Sequence, residues 1–203
     1  MSNIAITGIK SNIAHSFIKL LSNEMVIGTR AEHLKEHADV YTHELDVNRF
    51  VFCQGYLIPK RAVNQSDTEK DKSYRSNYSS IVEACDAILD INPDARICII
   101  GSESGYRGSF DDSYADNKKL IHKYIEDKDL LPDQQLVGIA PSIIEDTEMT
   151  QSRTDVDNLN ARRQNHPMKR FLTSNEVAQM IYTLLYEQPY INRTIIRMHG
   201  GDL

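Results

Sequence analysis

A tyrosine and a lysine four residues apart are the pair in this sequence best suited to proton transfer. Tyr114 and Lys118 lie at the head of an amphipathic helical pattern, so their side chains share one face of the helix. A free phenol ionises at about pH 10, but a neighbouring ammonium favours the phenolate. Ser102, after a short apolar run, can stabilise charge that develops on a substrate oxygen, and Ser104 is the alternative donor. These residue types indicate acid–base chemistry at a ligand oxygen.

Short apolar runs alternate with longer amphipathic segments along the chain. The runs predict buried strands at 4–6, 25–27, 49–53, 96–100, 135–139 and 194–198. The segments predict helices at 12–21, 74–91, 113–126 and 174–187, the last with Ser174 as a plain N-cap. The polar stretches 60–72 and 147–168 are predicted to be loops. This alternation predicts one domain over residues 1–203, an α/β fold with a doubly wound parallel sheet in three α/β/α layers. Ligands of such folds bind at the carboxyl ends of the strands.

The turn after the first predicted strand is the place where a dinucleotide pyrophosphate would meet backbone N–H groups. The usual pattern has three glycines, but here only Gly8 is present, and Asn12 and Ala14 occupy the other two places. An ordinary strand–turn–helix connection remains an alternative. After the second strand, Arg30 stands where NAD-binding sites usually have an acidic residue, and Lys10 adds a second cation. Both favour NADP(H) over NAD(H), unless they are simply solvated charges.

Several motifs together resemble those of the short-chain dehydrogenase/reductase family. Tyr114 and Lys118 match its Y-x-x-x-K signature, and residues 102–105 match the S-x-x-G pattern that precedes it. Further matches follow the family's order along essentially the whole chain: Thr7-Gly8, Asp46, Phe52-Cys53-Gln54-Gly55 in place of N-N-A-G, Asn77, Ala140-Pro141-Ser142, Thr147-Glu148-Met149, and the segments 170–178 and 195–201. Only the last glycine of N-N-A-G is kept, and the stretch between Asp46 and Phe52 is too short for the family's helix.

The resemblance implies a Rossmann-type oxidoreductase that transfers a hydride between a nicotinamide cofactor and a small carbonyl or alcohol substrate. It implies that Tyr114 is the general acid/base, that Lys118 tunes it and binds the nicotinamide ribose, that Ser102 contacts the substrate oxygen, and that Asn77 holds a water in a proton relay. The cofactor-binding residues that it implies are Gly8, Lys10, Ser11, Asn12, Ile13, Arg30, Asp46, Gly55, Lys118, Pro141, Ile144 and Thr147. The alternative is a catalytically retired relative that binds the cofactor as a sensor or partner subunit.

Composition narrows the partners that we expect. A net charge of -6 argues against nucleic-acid binding, and no apolar stretch is long enough to span a membrane. The chain begins without the basic start, long apolar run or small-residue cleavage site of a signal peptide, so we expect a cytoplasmic protein. We predict no metal site, and we expect Cys53, Cys85 and Cys98 to be buried thiols. The helices at 74–91 and 113–126 are expected to form a homodimer or homotetramer, as in the resembling family. Two further expectations concern a polar substrate near Gln54, Glu103, Tyr106 and Arg107, and a cationic lid at 147–168 that carries Arg153, Arg162 and Arg163.

Overall fold

A parallel sheet with a doubly wound strand order forms the centre of the protein. In the computed structural model, which describes residues 3–202, the strands are β1 (Asn3–Thr7), β2 (Val26–Thr29), β3 (Val47–Phe52), β4 (Arg96–Ile100), β5 (Gln135–Pro141) and β6 (Thr194–Met198). Within these residues the sheet has six strands in the order β2-β1-β3-β4-β5-β6, and every neighbouring pair is parallel. The chain leaves β1 toward one edge and returns at β3, so the crevice expected of such sheets lies between the carboxyl ends of these two strands. The predicted fold class and strands are confirmed.

Helices cover both faces of this sheet. They are α1 (Asn12–Ile18), α2 (Ala31–Glu36), α3 (Asp67–Tyr74), α4 (Ser80–Ile91), α5 (Ser104–Arg107), α6 (Asp112–Asp127), α7 (Glu148–Gln151), α8 (Val156–Asn165) and α9 (Ser174–Tyr182). A π-helical turn, Arg75–Ser79, joins α3 to α4, and a second, Thr183–Glu187, extends α9. A π-helical turn at Val40–Glu44 and a short 3-10 turn at Ala62–Asn64 complete the helical segments of residues 3–202.

Alternation along the strands separates two apolar cores, one on each face. Phe50 and Phe52 of β3 point into the core covered by α2, α4 and α6, whereas Val51 points into the core covered by α1 and α9. All of these side chains are fully buried, as are the thiols of Cys85 and Cys98, and Cys53 is nearly so. The expectation of buried free cysteines is therefore confirmed. Among residues 3–202, no helix has the length and apolar character that crossing a membrane requires.

The two polar stretches predicted to be loops contain helices, so that prediction is wrong. Helix α3 begins with a capping box in which Ser66 accepts from the Glu69 N–H and the Glu69 carboxylate accepts from the Ser66 N–H. Neither α3 nor α8 has a continuous apolar face, and apolar periodicity therefore could not find them. Capping groups and contacts with the rest of the fold stabilise α3 instead.

The start of α9 also differs from the sequence prediction. Thr173, not Ser174, is the N-cap, and its hydroxyl accepts from the Glu176 N–H at 3.3 Å. The Glu176 carboxylate accepts in turn from the Thr173 N–H at 2.9 Å, which makes a full capping box. This box fixes the helix that packs against α1.

Candidate active site

Ser102, Tyr114 and Lys118 come together at the carboxyl end of β4. The Ser102 side chain is near enough to the Tyr114 hydroxyl to lower the tyrosine pKa, and Lys118 Nζ lies 5.7 Å from the centroid of the tyrosine ring. All three side chains are buried, with exposed fractions of 8% for Ser102, 6% for Tyr114 and 1% for Lys118. Ser104, the alternative to Ser102, donates its backbone N–H to Ser102 Oγ at 3.1 Å. This bond helps to orient the serine hydroxyl.

Burial dominates the electrostatics of the tyrosine–lysine pair. It raises the pKa of Tyr114, although the hydrogen bond from Ser102 opposes this rise. It also lowers the pKa of Lys118 to about 8. Lys118 Nζ donates to the backbone oxygen of Ile100 at 2.8 Å. Burial therefore sets the direction of both pKa shifts in the chain by itself, and the tuning of Tyr114 by Lys118 stays a prediction.

Asn77 occupies the π-helical turn between α3 and α4, and its amide group fixes the backbone that follows β3. Its Nδ2 donates to the backbone oxygens of Tyr56 at 2.7 Å and Ser73 at 2.9 Å, and its Oδ1 accepts from the Tyr56 N–H at 3.0 Å. The side chain is fully buried. These contacts position the segment next to the crevice, and the role of Asn77 in a proton relay stays a prediction.

The glycine turn after β1 packs closely against the chain that leaves β3. Gly8 has a φ of +64°, and a Cβ on it would lie 2.7 Å from the backbone nitrogen of Gln54, so both conformation and space require glycine. Ser11 caps α1 by accepting from the Ala14 N–H at 3.2 Å, while Ile13 is buried. The sequence located this turn correctly at the crevice of the sheet.

Asn12 connects the glycine turn to the segment after β5. Its amide nitrogen donates to the backbone oxygen of Asp146, whose carboxylate accepts from the Ser174 N–H at 2.8 Å. The other predicted residues of this segment lie nearby in sequence: Pro141 ends β5, Ile144 is buried, and Thr147 donates its hydroxyl to the Ile144 oxygen at 3.2 Å. Asn12 thus contacts the segment that contains the predicted cofactor residues Ile144 and Thr147.

Two adjoining cavities follow the carboxyl edge of the sheet. One of about 300 Å³ lies beside Gly8, Gly55 and Arg30. A larger one of about 610 Å³ lies at the outer edge beyond β2, between Arg30, His33 and Tyr41. Arg30 is exposed and borders both, as does its acidic neighbour Glu32. Lys10 is exposed in the glycine turn.

Asp46 is the predicted cofactor residue that the fold places elsewhere. It directly precedes β3, and its backbone oxygen accepts from the N–H of Asn3 at the start of β1. It therefore lies at the amino edge of the sheet, about 20 Å from the carboxyl edge at ~3.3 Å per strand residue. The strand β3 begins immediately after Asp46, with no intervening helix, so Asp46 cannot reach the carboxyl edge where the crevice lies. The assignment of Asp46 to cofactor binding is therefore wrong.

Internal contacts occupy most of the polar residues that were expected to face the substrate. Glu103 forms a bidentate ion pair with Arg197 at 2.8 and 2.6 Å, and Arg107 pairs with Asp202 at 2.8 Å. The Gln54 amide donates to the Ser76 oxygen and to Ser80 Oγ. The charges of Glu103 and Arg107 are therefore largely balanced before any ligand binds.

The segment 147–168 folds into α7 and α8, and its arginine charges are partly neutralised. Arg153 pairs with Asp155 at 2.6 Å, and Arg163 pairs with Glu145 at 2.8 Å while lying over the Phe171 ring. Arg162 is exposed near the end of α8. These contacts weaken the hypothesis of a cationic lid, which now depends mainly on Arg162.

His122 is a site residue that the sequence analysis missed. It follows Lys118 by one helical turn and accepts a hydrogen bond from the Ser102 N–H at 3.3 Å. The sequence does contain a signal for His122, because Tyr114, Lys118 and His122 repeat at the spacing of one helix face.

Comparison with known proteins identifies the fold. No protein-family model and no curated protein matches this sequence. Among solved structures, a short-chain dehydrogenase/reductase from Brucella melitensis, titled glucose/ribitol dehydrogenase, aligns with a TM-score of 0.85 at 18% identity, over 98% of this chain and 96% of its own. A short-chain dehydrogenase family protein from Francisella tularensis has a TM-score of 0.83 at 16% identity, over 99% and 98%. ElxO, as a Tyr-to-Phe variant with NADPH bound, has a TM-score of 0.82 at 18% identity, over 98% of both chains. This chain therefore has the fold of the short-chain dehydrogenases/reductases along almost its entire length.

Proposed function

We propose that this chain is an NAD(P)(H)-dependent oxidoreductase of the short-chain dehydrogenase/reductase family that acts on a small carbonyl or alcohol. The observation that carries the proposal is the contact of the Ser102 and Tyr114 hydroxyls, with Lys118 beside them, at the carboxyl edge of a sheet of that fold. The motifs of the sequence support the same family. The substrate class and the catalytic role of Tyr114 belong to this proposal.

The residues at the crevice fit a dinucleotide. Gly8 and Gly55 line the smaller cavity at the end of the glycine turn, and Arg30 borders both this cavity and the larger outer one. When bound, the nicotinamide ring supplies the hydride in reduction and accepts it in oxidation. Arg30 supports a preference for NADP(H), because a guanidinium forms charge-assisted hydrogen bonds with a 2'-phosphate. Glu32 opposes that preference.

The side chains of the site supply the proton and stabilise the charge that develops during the reaction. In reduction, the substrate carbonyl carbon gains the hydride and its oxygen gains a proton, which Tyr114 donates from its hydroxyl. Ser102 donates a hydrogen bond to the same oxygen and stabilises the charge that develops there. Lys118 supplies positive charge next to the tyrosine, which favours the phenolate left after proton transfer. Burial of all three excludes bulk water and strengthens these interactions.

A Tyr114→Phe variant tests this proposal. The change keeps the ring but removes the transferable proton, so turnover of a carbonyl panel with NADPH should fall by about 10²- to 10⁴-fold, with little change in cofactor affinity. Tyr124→Phe is a matched control, because Tyr124 lies on the same helix and its hydroxyl donates to Asp86 instead. Near-normal turnover by Tyr114→Phe would refute the catalytic assignment.

The second candidate is a retired relative that binds the cofactor without turning it over. The burial of Lys118 against the Ile100 oxygen and the replacement of two turn glycines by Asn12 and Ala14 favour it. Measurable binding of NADPH or NADH by calorimetry, combined with no turnover across the panel, would select this candidate. Turnover that depends on Tyr114 would exclude it.

A further inference from the structure

The imidazole of His122 is inserted into the loop that carries Ser102. A Cβ on Gly101 would lie 2.3 Å from His122 Nε2, and a Cβ on Gly105 would lie 2.7 Å from its Cε1. Neither glycine has a positive φ, so backbone conformation does not require them. The imidazole ring fits here because neither Gly101 nor Gly105 has a side chain.

The backbone N–H of Ser102 uses this ring as its acceptor. The two neighbouring residues donate to β5 instead, Gly101 to the Ile139 oxygen at 2.7 Å and Glu103 to the Pro141 oxygen at 3.0 Å. Between them, Ser102 donates to His122 Nε2 at 3.3 Å. An accepting Nε2 carries no proton, so the ring is neutral with its proton on Nδ1.

Burial, together with the charged groups nearby, keeps the His122 ring neutral. Lys118 lies one turn earlier on α6, Arg197 comes from β6, Glu103 belongs to the loop itself, and the Tyr106 ring lies over the imidazole at 4.8 Å. Glu103, which Arg197 ion-pairs, favours protonation, but burial and the positive charge of Lys118 oppose it. Together they lower the pKa of His122 to about 4.

We propose that His122 is a positioning residue, whose neutral imidazole holds the Ser102 N–H and thereby fixes the serine hydroxyl against Tyr114. The contacts lead from the ring to the serine hydroxyl, because Ser102 Oγ accepts from the Ser104 N–H of the same loop and interacts with the Tyr114 hydroxyl. Displacement of the loop would move the hydrogen-bond donor away from the substrate oxygen. The effect on turnover rests on the proposed function, whereas the effect on the Ser102 amide does not.

Two variants of equal length separate the acceptor from the packing. His122→Gln keeps an oxygen within reach of the Ser102 N–H, and His122→Met fills similar space without a comparable acceptor. We expect kcat to fall by about tenfold in His122→Met and by less than about threefold in His122→Gln, with the KM for cofactor unchanged in both. Such a split favours positioning, since a purely structural loss would affect both variants.

Amide hydrogen exchange of Ser102, followed by NMR, provides a readout that is independent of activity. We expect the Ser102 amide to keep its protection in His122→Gln and to exchange at least about tenfold faster in His122→Met, while amides of β4 are unchanged in both. Equal protection of Ser102 in the two variants would overturn the inference, even if Tyr114→Phe is inactive. Conversely, an active Tyr114→Phe with the expected exchange pattern would refute the proposed function and leave the positioning role in place.

Discussion

At the scale of single residues, His122 makes folding stability depend on pH. Its pKa is about 4 in the folded chain against 6.5 for a free histidine, so between these values the unfolded chain binds more protons. Stability therefore rises with pH through this window, reaches its full value above pH 6.5, and is lost as pH falls toward 4. The slope contributed by this one group approaches ~1.4 kcal/mol per pH unit.

Urea unfolding at several pH values checks this dependence. His122→Gln should have a shallower slope between pH 4 and 6.5, by up to about one proton, than the unmodified chain. His43→Gln, at an exposed histidine, should keep the original slope. Parallel curves for the unmodified chain and His122→Gln would contradict a buried neutral imidazole.

Arg30 and Glu32 are predicted to set cofactor preference in opposite directions. Arg30→Glu removes the cation beside the expected 2'-phosphate, so the ratio of the NADPH to NADH dissociation constants should rise by about tenfold or more. Glu32→Gln removes a negative charge that would repel the 2'-phosphate, so it should lower that ratio. Fluorescence titration of the reduced cofactors measures both constants, and an unchanged ratio in Arg30→Glu would eliminate the preference for NADP(H).

At the scale of elements, a buried carboxylate starts the helix that carries Tyr114 and Lys118. Asp111 is 1% exposed and accepts four hydrogen bonds. Their donors are the Ile58 and Tyr114 N–H groups, the Gln65 amide and the Ser113 hydroxyl. This one side chain thus caps α6 and anchors the segment between β3 and α3 to it.

Replacing Asp111 by Asn should lower the free energy of unfolding by about 1 to 3 kcal/mol, because an amide nitrogen cannot accept the bonds that one carboxylate oxygen accepts. Asp112→Ala is the control, since Asp112 is the exposed neighbour on the same helix and its loss should cost less than about 1 kcal/mol. Chemical denaturation followed by circular dichroism compares the two. Equal midpoints would show that the buried carboxylate has no special role.

At the scale of the whole molecule, we predict that the chain forms a homodimer or homotetramer through α4 and α6. Leu120, 41% exposed on α6, is a large apolar side chain on the outer surface of that helix. Leu120→Glu should shift the mass toward the monomer in light scattering at micromolar concentration, because it places a charge in the expected interface. Val63→Glu, at an exposed position outside these helices, should not. A monomer mass for the unmodified chain would disprove the assembly.

The sequence by itself determined the strands of the sheet, its parallel arrangement and the shared helix face of Tyr114 and Lys118. These features follow from local periodicity, because a buried strand must be apolar along a short run and a helix repeats its faces every three to four residues. The glycine turn was also readable from its position after β1. The same reasoning missed α3 and α8, which have no continuous apolar stripe.

Only the tertiary structure decided which distant residues meet. Asp46 lies at the wrong edge of the sheet, Glu103 pairs with Arg197 of β6, and His122 enters the Ser102 loop between two glycines. The sequence shows that His122 shares a helix face with Lys118, but it shows none of these three placements, because each depends on how strands and helices from separate parts of the chain pack together. The pKa values of Tyr114 and Lys118 were beyond the sequence for the same reason, since burial sets them and the packed structure alone fixes burial.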